Sequence, residues 1–193
     1  MNRSIKMIVF VIVLGLLTSI ALIGMDVLTK DRISANEQAL LKSSILEGFD
    51  IPYTFNNIHD VFAESVTLIQ TPDGLTFYID KGTDRVAFEF LGDGVWGPIR
   101  GVITLENDFK TIRRITILEQ QETPGLGGVV AERNYLNKFV GKWMAIVITK
   151  TPQDPNRDVD TITGGTRTSE RFQILLNNAY EQHWDAWQNM RED

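Results

Sequence analysis

The residues best suited to chemistry lie between Asp160 and Thr166, where hydroxyl side chains flank two glycines. Glycine adopts backbone angles that other residues avoid, which lets consecutive N–H groups converge on one point. An amphipathic helix is predicted to start directly afterwards, and a helix N-terminus adds unpaired N–H donors with a partial positive charge. The pattern therefore predicts a phosphate site at Thr166. An ordinary helix cap made by a threonine or serine fits the same residues and remains an alternative.

The side-chain inventory limits the chemistry that this chain can perform alone. It has no cysteine, which excludes disulfides, thiol nucleophiles and cysteine-held iron–sulfur clusters. Its two histidines, His59 and His183, are far apart in sequence, so we expect no metal site and no Ser–His–acid catalytic set. Any redox role would need an organic cofactor. The net charge of −6 gives no electrostatic footprint for nucleic acid.

The N-terminal segment is predicted to be a membrane anchor. Residues 7–25 carry no charge and include twelve Leu, Ile, Val or Phe residues. Their insertion into a bilayer is worth about −4 to −7 kcal/mol. A cleaved signal peptide is the competing interpretation, but no small-x-small cleavage site closes the run. Arg3 and Lys6 nearly balance Lys30 and Arg32 across the membrane, and we expect the globular part to lie outside the cytoplasm.

Hydrophobic periodicity predicts an α+β fold in which a single transmembrane helix and a stalk precede a mixed, mostly antiparallel sheet with flanking helices. The expected divisions are an anchor at residues 1–27, a helical stalk and linker at 28–60, and the globular domain at 61–193. Expected strands lie at 65–69, 76–79, 86–90, 99–105, 111–120 and 143–149. A short helix is expected at 129–140, and the last helix follows Thr166, with an apolar face at three- and four-residue spacing.

A glycine-rich loop interrupts the strand pattern between Glu122 and Gly128. Three glycines and one proline in seven residues either turn a corner or bring backbone close to a flat ligand. Composition alone favours the corner.

Three segments taken together resemble the FMN-binding domain family, known from one subunit of Rnf complexes, designated G, and from one of the sodium-pumping quinone reductase, designated C. They are residues 94–100 (GVWGPIR), 122–127 (ETPGLG) and 160–166 (DTITGGT). Their order and spacing match the family, as does the single N-terminal anchor, and the resemblance covers nearly the whole chain. The third segment is the most specific, because the family pattern is Asp-x-x-Ser/Thr-Gly-Ala-Thr. Gly165 stands where the family usually has alanine.

The resemblance implies that FMN is attached covalently, through a phosphoester, to Thr166. In the family a separate magnesium-dependent flavin transferase performs the attachment, and Asp160 would help that enzyme to recognise the chain. Trp96 is a candidate for flavin contact or for the core, and Glu122 would contact the ring or hold its own loop. The remaining residues that would contact the cofactor are Thr163, Gly164, Gly165, Thr168, Ser169, Thr123, Gly125, Leu126 and Gly127.

The function implied is that of a membrane-anchored electron carrier, namely the flavin-carrying subunit of an Rnf-type ferredoxin:NAD oxidoreductase coupled to ion translocation. The compact length resembles the Rnf subunit more than the longer reductase subunit. Its partners would be the other membrane and peripheral subunits, with the flavin transferase during maturation. Two alternatives remain. One is a stand-alone anchored FMN protein of another extracytoplasmic chain, and the other is a cofactor-free binding or scaffold module.

Overall fold

The computed structural model describes residues 3–192 and divides the chain between Ala39 and Leu40 into two units. Helix α1 spans Arg3–Gly48, and the first unit consists of its N-terminal part. Side chains at positions 7–25 are exposed on every side, and the most apolar 18-residue window has a mean hydropathy of 2.8. By length and composition this helix can cross a membrane, so it fits an anchor.

The second unit is built on the five-stranded antiparallel meander that the sequence predicts. Each strand pairs with its neighbours in chain order, because short turns such as Pro72-Asp73-Gly74, with Gly74 at φ +86°, reverse the chain. The strands are β1 (Val66–Gln70), β2 (Thr76–Asp80), β3 (Val86–Asp93), β4 (Pro98–Leu105) and β5 (Ile112–Glu119).

Both faces of this sheet are covered, and the strand residues alternate between two apolar clusters. Phe88 of β3 and Ile103 of β4 face the cluster under the C-terminal helix. Ala87 and Val102 face the other cluster, which includes the last turns of α1 and helix α2 (Ile58–Ser65). From the sequence, the residues of α2 are assigned to a linker, since a helix of eight residues with one buried side chain leaves little periodicity.

The segment after the sheet differs from the sequence prediction in two places. The single helix expected at 129–140 is broken into a 3₁₀ turn at Gly127–Ala131, helix α3 at Arg133–Leu136 and a 3₁₀ turn at Asn137–Phe139. The long strand expected at 143–149 is only β6 (Val147–Thr149), which pairs in parallel with β7 (Asp158–Asp160). The sequence gives little sign of β7, because Asp-Val-Asp has one apolar residue.

Helix α4, Thr166–Glu192, forms as expected and buries the predicted face against the sheet. Phe172, Leu176 and His183 are among its buried side chains. Since the helix begins at Thr166, its packing fixes the position of that residue at the edge of the core. The architecture is therefore α+β, as the sequence predicts.

Candidate functional site

Thr166 is the first residue of α4 and is half-buried, while Thr163 and Gly164 just before it are exposed. Gly164 has φ +78°, a left-handed angle that turns the loop into the helix. The N–H of Gly165 donates to the carbonyl of Ile162 over 3.0 Å, which closes the turn. The loop thus presents the Thr166 hydroxyl beside the free N–H groups of the first helical turn.

Ser169 holds this loop from below. Its hydroxyl accepts a hydrogen bond from the Ile162 N–H and donates one to the Gly165 carbonyl, each at 3.0 Å. The side chain is buried, and its single proton is used inside the protein. The expectation that the Ser169 hydroxyl donates to a phosphate is therefore wrong for this conformation, and its role is to shape the loop.

Glu122 links the three segments on which the family resemblance rests. Its side chain is only 4% exposed, and Oε1 accepts hydrogen bonds from the N–H groups of Val95 at 2.7 Å and Trp96 at 3.1 Å. Oε2 accepts a hydrogen bond from the Thr168 hydroxyl at 2.6 Å. Of the two roles that the sequence left open for Glu122, the geometry supports that of holding loops together. The Thr168 proton is used in the same network, so Thr168 is not the phosphate donor that we expected.

The glycines of the middle segment allow this close packing. A Cβ on Gly127 would lie 2.5 Å from Oγ1 of Thr168 and 2.6 Å from Oε2 of Glu122. Gly125 has φ +72°, and the Thr123 carbonyl accepts hydrogen bonds from the N–H groups of Leu126 and Gly128. The loop therefore turns a corner and also brings backbone against the carboxylate.

A cleft of about 380 Å³ opens where the three segments meet, within the size range of small-molecule sites. Trp96 is 71% exposed at its rim, so the alternative that this ring lies in the core is wrong. Leu126 is 45% exposed and offers a second apolar surface. The cleft is lined by Val95, Trp96, Glu122, Thr123, Leu126, Gly127, Gly164, Gly165, Thr166, Arg167 and Thr168.

A second, more polar cleft of about 450 Å³ shares Gly164 and Thr166 with the first. Lys150 and Asp160 give it charged groups, and Lys138 forms an ion pair with Asp160 at 2.7 Å. Sequence reasoning missed both lysines, because neither lies in the three segments. Arg167, which lines the first cleft, was also missed although it directly follows Thr166.

The site contains no machinery that would activate its own hydroxyl. Within residues 3–192 the Thr166 hydroxyl has no side-chain or backbone hydrogen-bond partner. His183 lies in the core with its ring stacked on Phe88, 4.0 Å between centroids, and its Nδ1 is 2.7 Å from the Ala179 carbonyl. A threonine hydroxyl is a weak nucleophile without a base, so modification of Thr166 needs an external catalyst.

Gly165, where the family usually has alanine, lies in a tight environment. A Cβ there would lie 2.9 Å from Cγ2 of Ile162 and 3.2 Å from the Leu126 carbonyl oxygen. The buried Ile162 side chain therefore takes up the space that an alanine methyl would need.

Comparison with known proteins identifies the same region. Residues 94–181 match the family model described as the FMN-binding domain, which confirms the resemblance seen in the sequence. Over 122 residues the chain is 35% identical to a subunit, designated C, of the Na(+)-translocating NADH-quinone reductase of Vibrio alginolyticus, covering 57% of this chain and 44% of that protein. Over 108 residues it is 33% identical to the same reductase component of Neisseria meningitidis serogroup B, covering 50% of this chain and 42% of that protein. The chain thus spans less than half the length of these relatives.

Solved structures share the fold. The crystal structure of NqrC from Shewanella oneidensis superposes with a TM-score of 0.65 at 21% identity, covering 76% of this chain and 93% of that one. The crystal structure of the corresponding Na(+)-translocating NADH-quinone reductase component from Parabacteroides distasonis superposes with a TM-score of 0.63 at 22% identity, covering 76% and 90%.

Proposed function

Starting from the FMN-binding domain that the chain carries over residues 94–181, we propose that it is a membrane-anchored electron carrier whose FMN is esterified to Thr166. The observation that carries this proposal is the position of the Thr166 hydroxyl. It opens helix α4, has no protein partner among the described residues, and lines both clefts. A phosphoester there would meet the first N–H groups and the positive end of the helix dipole.

The residues present fit the nucleotide. Trp96 and Leu126 expose apolar surface to the first cleft, which suits a planar ring system. Lys150 and Thr163 line the second cleft, which suits a phosphate and a polar chain. Bound FMN would supply the ability to accept and release electrons that no side chain of this protein has. The protein would hold the nucleotide and leave one edge of the ring accessible to a partner.

The attachment step is a phosphoryl transfer. The Thr166 oxygen would form a bond to the phosphorus on the FMN side of FAD, the P–O bond to AMP would break, and the hydroxyl proton would pass to a base of the transferase. The enzyme class is the magnesium-dependent flavin transferase implied by the family resemblance. Asp160, held by Lys138 beside the second cleft, would be part of its recognition surface.

The proposed context is a membrane-bound, ion-translocating oxidoreductase, with the globular domain outside the cytoplasm and the single apolar helix as its anchor. The finer proposal is the flavin-carrying subunit of an Rnf-type ferredoxin:NAD oxidoreductase. The second candidate is the matching component of a Na(+)-translocating NADH-quinone reductase, and the names of the curated relatives favour it. Both place the chain among membrane and peripheral subunits. The subunits that co-purify with it from its native membrane, identified by mass spectrometry, would separate the two.

The decisive experiment is the intact mass of the protein isolated from its native host. We expect an added mass equal to one FMN less one water, located on the peptide that contains Thr166. A colourless protein of unmodified mass would overturn the proposal and leave the cofactor-free scaffold module. A flavin-loaded protein that purifies without partners would support the stand-alone carrier.

A further inference from the structure

The pairing of β2 with β3 ends early and leaves part of β3 open. The last registered pair is Tyr78 with Ala87, yet β3 continues to Asp93 and pairs with β4 along its whole length. Just past that last pair, the His183 ring packs against Phe88 and edge-on to Phe77, at 4.0 Å and 5.2 Å between centroids. The imidazole thus occupies the space between the two strands where they diverge.

The direction of the backbone groups follows from the hydrogen-bond pattern of the strand pair. Antiparallel strands direct the N–H and C=O groups of successive residues to alternate sides. The N–H of Gly94 donates to the Gly97 carbonyl, so the even-numbered residues of β3 pair with β4. The groups of Leu91 and Asp93 therefore point away from β4. Within residues 3–192, no strand pairs with them on that side.

Helix α4 forms the opposite wall of a groove along this free edge. The groove has a volume of about 400 Å³. Leu91 is 70% exposed beside it. At Gly92 the strand approaches the helix closely, because a Cβ there would lie 3.1 Å from Cγ and Cδ1 of Leu175. Leu75, at the turn before β2, bounds the far side. The space therefore suits one extended strand and excludes the edge of a second sheet.

The groove continues to the proposed flavin site. Arg171 and Ile174 line both this groove and a neighbouring cleft of about 400 Å³. That cleft shares Val95 and Arg167 with the cleft at Thr166. A segment bound along β3 would therefore point towards the cofactor.

We propose that this groove binds a single extended segment of a partner polypeptide, which adds to the free edge of β3 as a sixth strand between β3 and α4. Backbone groups of Leu91 and Asp93 would supply hydrogen bonds, as in other cases of strand addition. Apolar side chains at alternate positions of the segment would contact Ile174 and Leu175. The proposal rests on the proposed function only in that the partner belongs to the same complex as the electron carrier.

Hydrogen exchange tests the pairing directly. In the purified full chain alone, the amides of Leu91 and Asp93 should exchange fast, while those of Phe90 and Gly92 are protected by β4. In the complex purified from native membranes, the Leu91 and Asp93 amides should slow by about tenfold or more. Slow exchange of these two amides in the isolated monomer, or unchanged fast exchange in the complex, would overturn the proposal.

A proline variant tests the backbone without disturbing the sheet. Leu91→Pro removes an N–H that points into the groove and no bond to β4, so the free chain should remain folded. Leu91→Ala keeps that N–H and is the matched control. We expect Leu91→Pro to lower the amount of co-purified partner about tenfold, a 1.4 kcal/mol effect, and Leu91→Ala to change it little.

Equal retention by both variants would contradict strand addition. A homodimer in which the two amides are protected would assign the groove to a second copy and overturn the proposal. A chain that purifies without any partner would overturn it as well. The flavin mass of the same sample tests the proposed function separately, so the two failures are distinguishable.

Discussion

The Thr168 hydroxyl donates a hydrogen bond of 2.6 Å to the Glu122 carboxylate, although 46 residues separate the two in sequence. This contact joins the start of the last helix to the glycine-rich loop. Through Oε1, the same carboxylate also holds the turn at Val95 and Trp96. The three segments of the site are thus tied to one buried anion.

Replacing Glu122 with glutamine should release these loops. The amide presents one oxygen and one NH₂ group to three donors, so at least one buried donor loses its acceptor. We expect Glu122→Gln to lower the free energy of unfolding by about 2 kcal/mol. Urea unfolding followed by circular dichroism measures this, with Glu181→Gln on the exposed face of α4 as the control. Equal stability of the two variants would contradict the role assigned to Glu122.

Substitution of Gly127 tests the close approach at the loop. Gly127→Ala places a methyl group within 2.6 Å of Thr168 Oγ1 and Glu122 Oε2, so those groups must move apart. Overpacking of this kind costs about 1–3 kcal/mol. The control is Gly82→Ala, whose Cβ would meet only Oδ1 of Asp80, at an ordinary 3.5 Å. A thermal unfolding midpoint equal to that of the control would show that the loop has room to relax.

The attachment residue is tested by two substitutions at Thr166. Thr166→Ala removes the hydroxyl and should abolish in-gel flavin fluorescence after denaturation, when the protein is co-expressed with a flavin transferase. Thr166→Ser keeps a hydroxyl at the same position and should retain part of the fluorescence. Both variants should unfold close to the wild-type midpoint, because Thr166 is only half-buried. Fluorescence that persists in Thr166→Ala would move the attachment to another residue.

The buried histidine predicts a pH dependence of stability. Burial lowers the pKa of His183 below its usual value near 6.5, although the Ala179 carbonyl partly offsets the shift. Below that pH the unfolded chain binds a proton that the folded chain resists. The stabilisation is therefore complete above pH 6.5 and declines as the pH falls towards the lowered pKa.

His183→Gln should flatten this dependence between about pH 7 and the lowered pKa, where the slope contributed by one such group reaches about 1.4 kcal/mol per pH unit. Urea unfolding at several pH values measures it, and exposed His59→Gln provides the control. A slope that is the same in wild type and His183→Gln would contradict the assignment to His183.

Patterns that depend on near neighbours could be predicted from the sequence. The meander and the apolar face of α4 follow from periodicity, because a strand or helix with one buried side shows a regular repeat. The phosphate-site hypothesis at Thr166 likewise needed only two glycines and a helix start. The family resemblance pointed to the other two segments, which line the same cleft.

Tertiary contacts decided the rest, because partners distant in sequence leave no local signal. The protons of Thr168 and Ser169 are used by Glu122 and Gly165, so neither hydroxyl has the role that its place near a helix N-terminus indicated. Trp96 is exposed because its turn is held at the surface by Glu122. The sequence by itself determined which segments form the site, and packing alone decided which of their polar groups hold the loops and which remain free to meet a ligand.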